Sequence, residues 1–119
     1  MREKFNFEDL KVYQKALDYI DYVYTITSKF PKSEIFGLVS QFQRAAQSIA
    51  LNIGEGSGGS KAEFRQFIRI ARRSICECIV CTDIALRRKY INNTESEQSR
   101  DMASELSRML SGLLKSLLK

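Results

Sequence analysis

The chain has 119 residues, a net charge of +5 and 44% hydrophobic residues, which suits one domain over residues 1–119 around one hydrophobic core. Histidine is absent, removing the commonest general base and the commonest zinc ligand. Proline occurs once and glycine six times, so linker-rich and disordered readings fit poorly.

In the first segment, Leu10, Tyr13, Leu17, Ile20 and Tyr24 recur at spacings of three and four, with a second row of Val12, Ala16, Tyr19, Val23 and Ile26 beside it. Both rows have the period of a helix, over about 8–29, which ends at Phe30-Pro31. Their combined apolar arc is wider than one core stripe, with Tyr19, Tyr22 and Ile26 as the surplus. Either this helix lies deep in the fold or a second surface packs on another subunit, and self-association is favoured. A second helix, about 35–54, carries Leu38, Phe42, Ile49 and Ile53 and stops at Gly54-Glu55-Gly56-Ser57-Gly58-Gly59, read as a flexible interhelical turn. A third, about 61–88, opens on the capping box Ser60-Lys61-Ala62-Glu63. Asn92 and Asn93 make a turn, and Thr94-Glu95-Ser96-Glu97 is a second capping box for a helix over about 95–117. Four amphipathic helices with short connections predict an all-α, antiparallel up-down-up-down four-helix bundle. No apolar run approaches the ~20 residues of a membrane span, and the charged start has no signal-peptide core.

Catalytic and metal constellations are missing. Serines have no histidine partner, and the glycine-rich stretch has neither a preceding strand nor a Gly-Lys-Ser/Thr. Cys76, Cys78 and Cys81 lack a second ligand pair for zinc and share one helix. They read as buried thiols in a reducing, cytoplasmic setting. The expectation is a non-enzymatic protein without cofactor or metal.

Charge is concentrated. Residues 61–89 hold eight basic groups against three acidic ones, an excess equal to the whole net charge of +5. Arg65, Arg69 and Arg72 form a column on the third helix, with Arg73 beside it and Lys61 at the helix start. At ~100° per residue the column is centred about 90° from the row Phe64, Ile68, Ala71 and Ile75, on a wet flank. Cations near a helix N-terminus oppose the macrodipole, and Arg suits bidentate phosphate contact. The column therefore points to RNA or DNA backbone; the plain alternative is a solvated face. Lys11, Lys15 and Tyr22 share a face of the first helix and could widen the basic surface. On the second helix, Gln41, Arg44, Ser48, Asn52 and Glu55 form a polar stripe. Its amides, hydroxyl and charge pair suit a hydrogen-bonded seam between helices or subunits, with ordinary surface or a small-ligand site as alternatives.

Phe7-x-x-Leu10-x-Val12, Phe30-Pro31-x-x-Glu34-x-x-Gly37-Leu38, Gln41-x-x-Arg44-Ala45-Ala46-x-Ser48-Ile49 and Asn52-Ile53-x-Glu55-Gly56 carry a resemblance. So do Glu63-Phe64, Phe67, Ile70-Ala71, Ser74, Glu77 and Tyr90-Ile91. The pattern resembles that of the four-helix bundle proteins encoded within intervening sequences of bacterial large-subunit ribosomal RNA genes, from residue 7 to about 91. The last helix matches in periodicity alone. The resemblance implies a homopentameric ring. It also implies kinship with the accessory protein of diversity-generating retroelements, a basic pentamer that binds nucleic acid and works with a reverse transcriptase. The chain departs from the family pattern at Cys78, where a second glutamate is usual, and at Arg73, where a glycine is usual. The reading that results is a homo-oligomer binding nucleic acid through Lys61, Arg65, Arg69, Arg72 and Arg73; the alternative is a protein-interaction scaffold.

Overall fold

Four amphipathic rows in a chain of this length are all buried only if the helices face one another. In the computed structural model, which describes residues 3–118, they do so as α1 (Lys11–Thr27), α2 (Ser40–Ser57), α3 (Lys61–Arg87) and α4 (Asn93–Ser116). Each helix packs on its neighbour in sequence and α4 closes against α1, giving the expected all-α four-helix bundle. Residues 1, 2 and 119, the ends of the expected span, lie outside the described residues. Among the described residues, no helix is long and apolar enough to cross a membrane.

Several boundaries differ from the expected ones, each for a local reason. The segment expected to start the first helix near residue 8 is a separate 3-10 turn, Asn6–Asp9, because Leu10 is extended. The second helix is preceded by a 3-10 turn, Lys32–Glu34, and a π turn, Ile35–Val39, broken at Gly37 by its φ of −115° and ψ of −112°. It then runs on through Gly54 and Gly56 to Ser57. The glycine-rich stretch is thus largely helical, and among the described residues no glycine has positive φ. Gly56 is required by closeness: a Cβ there would lie 2.6 Å from the Phe67 Cβ on α3. The left-handed turn is made by Lys89 instead, with φ of 64°.

That turn moves the second capping box. Asn92, not Thr94, is the N-cap; its side chain accepts from the Glu95 amide at 2.8 Å, and the Asn92 amide donates to Glu95 Oε1 at 3.0 Å. The first box forms as expected between Ser60 and Glu63.

The core is built on Val12, Ala16, Tyr19, Val23 and Ile26 of α1 with apolar residues from the other three helices. Tyr19 and Ile26, expected as surplus, are therefore core residues. The Tyr19 hydroxyl meets Ser99 Oγ of α4 at 2.9 Å, and Ser99 meets Thr82 Oγ1 of α3 at 2.8 Å. Burial pushes the Tyr19 phenol well above its ordinary pKa. Hydroxyls that pair with one another let polar groups sit at the bundle centre without a desolvation penalty. The surplus of α1 is the other row. Tyr13, Leu17 and Ile20 are half-buried and Tyr24 is exposed.

Candidate nucleic-acid interface and the seam between α2 and α3

The outward face of α3 is fixed by what its other faces bury. Ile68 and Ile75 face inward on one side, Ser74 and Cys81 on the other, with Cys78 between them. Arg69 stands nine residues from Cys78, about 180° around the helix. The arginine column is thus centred on the fully outward side, further from the core than expected. Arg69, Arg72 and Arg73 are exposed, and among the described residues none has an ion-pair partner. Arg65 differs. It is half-buried, and its guanidinium donates to the Leu117 carbonyl at 2.7 Å, placing positive charge on the carbonyl end of α4, where the helix dipole favours it. Lys61 is exposed at the first position of α3.

Two further cations were not found from the sequence. Arg108 and Lys115 of α4 line a groove of about 540 Å³ with Ile75, Cys76 and Ile79 of α3 and Ser104, Ser107, Ser111 and Gly112 of α4. Arg72 stands one turn before Cys76, so the groove adjoins the column. The sequence signal for these two cations is the run Ser104, Ser107 and Ser111, spaced three and four around Arg108 and set beside the leucine row of the same helix. Cys76 is exposed, correcting the expectation of three buried thiols, whereas Cys78 and Cys81 are buried. Burial raises both of these thiols, Cys81 to about 11. Among the described residues, no cluster of potential ligands could hold a metal ion.

Of the three residues expected to widen the basic surface from the first helix, Lys15 and Tyr22 are engaged with α4, while Lys11 is exposed. Lys15 pairs with Glu105 of α4 at 2.7 Å, and the Tyr22 hydroxyl donates to the Glu95 carbonyl at 2.9 Å.

The polar stripe of α2 divides between two uses. Gln41 and Ser48 reach α3, Gln41 Nε2 donating to Glu77 Oε2 at 3.3 Å and Ser48 Oγ accepting from Ser74 Oγ at 2.9 Å, while Asn52 bonds within α2, its Nδ2 donating to Ser48 Oγ at 3.0 Å. Arg44 and Glu55 are exposed, and among the described residues neither has an ion-pair partner. Arg44 lines a polar groove of about 520 Å³ with Phe36, Gln41, Ser48 and Glu77. Glu55 borders a mostly apolar groove of about 510 Å³ on the other flank of α2, formed with Phe7, Tyr13, Leu17, Ile20 and Leu51.

Among solved structures, the fold is similar to that of a protein of unknown function from the S23 ribosomal protein family of Bacteroides thetaiotaomicron. The TM-score is 0.78 at 23% identity, covering 87% of this chain and 98% of that one. Among curated proteins there is no match. The sequence matches the family described as 23S rRNA-intervening sequence protein over residues 8–112, nearly its whole length, and the chain belongs to that family.

Proposed function

We propose that the protein is a non-enzymatic, cytoplasmic homo-oligomer that binds the phosphate backbone of RNA or DNA through the outward face of α3. The observation that carries this reading is the exposed set Arg69, Arg72 and Arg73, without ion-pair partners among the described residues and on the segment that holds the net charge. Such contacts are electrostatic and largely independent of sequence. Arg108, Lys115 and the serine hydroxyls of the α3/α4 groove continue the surface with groups that donate to phosphate oxygens. The family description ties its members to intervening sequences of 23S rRNA, which makes structured RNA the first polyanion to test. The resemblance noted above supports a homopentamer, in which five such faces would add their fields, and a reverse transcriptase as a protein partner.

The test is a salt titration of binding to a structured RNA and a DNA duplex. On a duplex each neutralised phosphate contributes a slope of about −0.9 in log affinity against log salt. The Arg69/Arg72/Arg73 triple alanine variant should therefore flatten the slope by up to ~2.7. An unchanged slope would demote the face to a solvated surface.

A second reading, a protein-interaction scaffold, is favoured by Ile70, Val80 and Ile84, which stand exposed on α3. Apolar groups set among cations suit a protein partner better than a phosphate chain. Partner capture that survives nuclease treatment and is lost in Val80→Asp would support it.

A further inference from the structure

Phe36 is 98% exposed, the most exposed of the large hydrophobic residues described. It is held there by its neighbours. The Glu34 carboxylate accepts from the Leu38 amide at 3.2 Å and from the Tyr90 hydroxyl at 2.8 Å, tying the α1–α2 connection to the α3–α4 connection. Gly37 bends the backbone just beyond the ring, and a Cβ there would come 2.8 Å from Glu34 Oε1. An aromatic ring fixed in solvent by its neighbours is a knob without a socket in its own chain.

A socket lies on the other flank of α2. The groove beside Glu55 has Phe7, Tyr13, Leu17, Ile20 and Leu51 as walls, and its volume of about 510 Å³ admits a phenyl side chain. Leu51 on its rim is 62% exposed. Each place carries a charge without an ion-pair partner among the described residues, and the two are opposite, although Glu77, which accepts from Gln41, also lines the groove beside the knob. Arg44 stands beside the knob and Glu55 beside the socket. The two share the outward stripe of α2 but are eleven residues apart, about 16 Å along the axis, so they cannot pair within one chain. A second copy brings them together.

We infer that Phe36 of one copy seats in the α1/α2 groove of the next, with Arg44 of the first copy against Glu55 of the second. The inference rests on the self-association proposed above and assigns its interface. Knob and socket are different surfaces, so the contact is head-to-tail, and it closes into a ring or continues as a chain. An isologous dimer does not follow from it.

The experiment is measurement of mass in solution by light scattering for the full chain, for Phe36→Ala, for Leu51→Arg and for their equimolar mixture. Both altered side chains are largely exposed, and matching thermal unfolding would show that the fold is intact. The expected result is an assembly of more than two copies for the unaltered protein and a monomer for each variant. The mixture should give a species of two copies, because Leu51→Arg keeps a knob, Phe36→Ala keeps a socket, and the pair cannot grow further. Arg44→Glu and Glu55→Arg should each lower the assembled fraction, and together restore it. An unaltered protein that is monomeric at all concentrations refutes self-association itself. An assembly that persists in Phe36→Ala, or variants that do not pair on mixing, refutes this interface while self-association stands. A dimer in the unaltered protein refutes the head-to-tail arrangement. A phenylalanine that proves instead to hold an unrelated protein, with mass unchanged in Phe36→Ala, refutes the inference in favour of a foreign partner.

Discussion

Replacing Gly56 by alanine should destabilise the bundle although alanine is the better helix former. Gly56 is buried in the last turn of α2, against Phe64 and Phe67 of α3. The added Cβ would lie 2.6 Å from Phe67 Cβ, 2.9 Å from Phe64 Cδ1 and 3.2 Å from Phe67 Cγ. A Cβ cannot rotate out of the way, so one of the two backbones must move. Overpacking costs about 1–3 kcal/mol, and a contact this short, which no rotamer relieves, belongs to the upper part of that range, about 2–3 kcal/mol. Alanine recovers about 1 kcal/mol of helix propensity, leaving a net loss of about 1–2 kcal/mol. For a chain of this size ~1 kcal/mol corresponds to about 4 °C, so the melting midpoint should fall by about 4–8 °C. The assay is thermal unfolding followed by far-UV circular dichroism, with Gly112→Ala as the control. A Cβ at Gly112, on the exposed side of α4, meets nothing within 4 Å, and that variant should gain up to ~1 kcal/mol. A Gly56→Ala midpoint at or above that of the unaltered protein would refute the account of the α2/α3 contact.

Three other outcomes follow from the same geometry. With a thiol reagent near neutral pH, Cys76 should react in the native protein, whereas Cys78 and Cys81 should react only on unfolding, since burial both shields and raises them; three equally fast thiols would contradict the core packing. In the pH dependence of unfolding, Glu34, Glu95 and Glu105 are held below the usual 4.5, chiefly by the Tyr90 hydroxyl, Lys29 and Lys15 in turn. A depressed carboxylate adds stability that is fully present above about pH 4.5–5 and is lost as pH falls through the folded-state values. Cys78, Cys81 and Tyr19 are raised, so the unfolded chain ionises first and stability should also fall above about pH 9. The melting midpoint should therefore be highest between these limits, and a midpoint unchanged down to about pH 3 would contradict the acid limb. Finally, Arg65→Ala should speed amide exchange in the last turn of α4 and flatten the salt slope of nucleic-acid binding less than Arg69→Ala does; equal slopes would mean that the Leu117 contact leaves the charge of Arg65 fully available.

The helices were legible because each carries a period near 3.6 with few interruptions, and Ser60 and Glu63 announce the start of α3 without ambiguity. Which row of α1 faces inward was harder. Both rows are apolar, and periodicity gives the spacing of a stripe but not its direction. The inward row holds Ala16, which lets helices approach, and Tyr19, whose hydroxyl needs Ser99 and Thr82 from two other helices. That condition is tertiary, and no window of α1 contains it. The same limit applies to Gly56: a run of glycines reads as a turn until Phe64 and Phe67 of α3 are set against it. Asn92 displaced Thr94 as the cap because Lys89 reverses the chain early, and Lys89 has no local preference for a left-handed conformation.

The candidate sites show what sequence reading of charge does and does not deliver. The count of basic groups in α3 locates a charged segment, but only the packed structure separates committed charges from uncommitted ones. Lys15 is matched by Glu105, Arg100 by Asp83 and Lys29 by Glu95, while Arg65 is spent on the carbonyl end of α4. Arg44, Glu55, Arg69, Arg72 and Arg73 are left without ion-pair partners among the described residues. They lie on the outward faces of α2 and α3, the two helices that share the most extensive contact in the bundle. Solvated charge of this kind contributes little to the stability of one chain, so internal packing does not account for its placement. Charges aligned along a rigid pair of helices are instead open to a partner outside the chain, which is what the two proposals use: on α3 the proposed polyanion, and on α2 the proposed second copy.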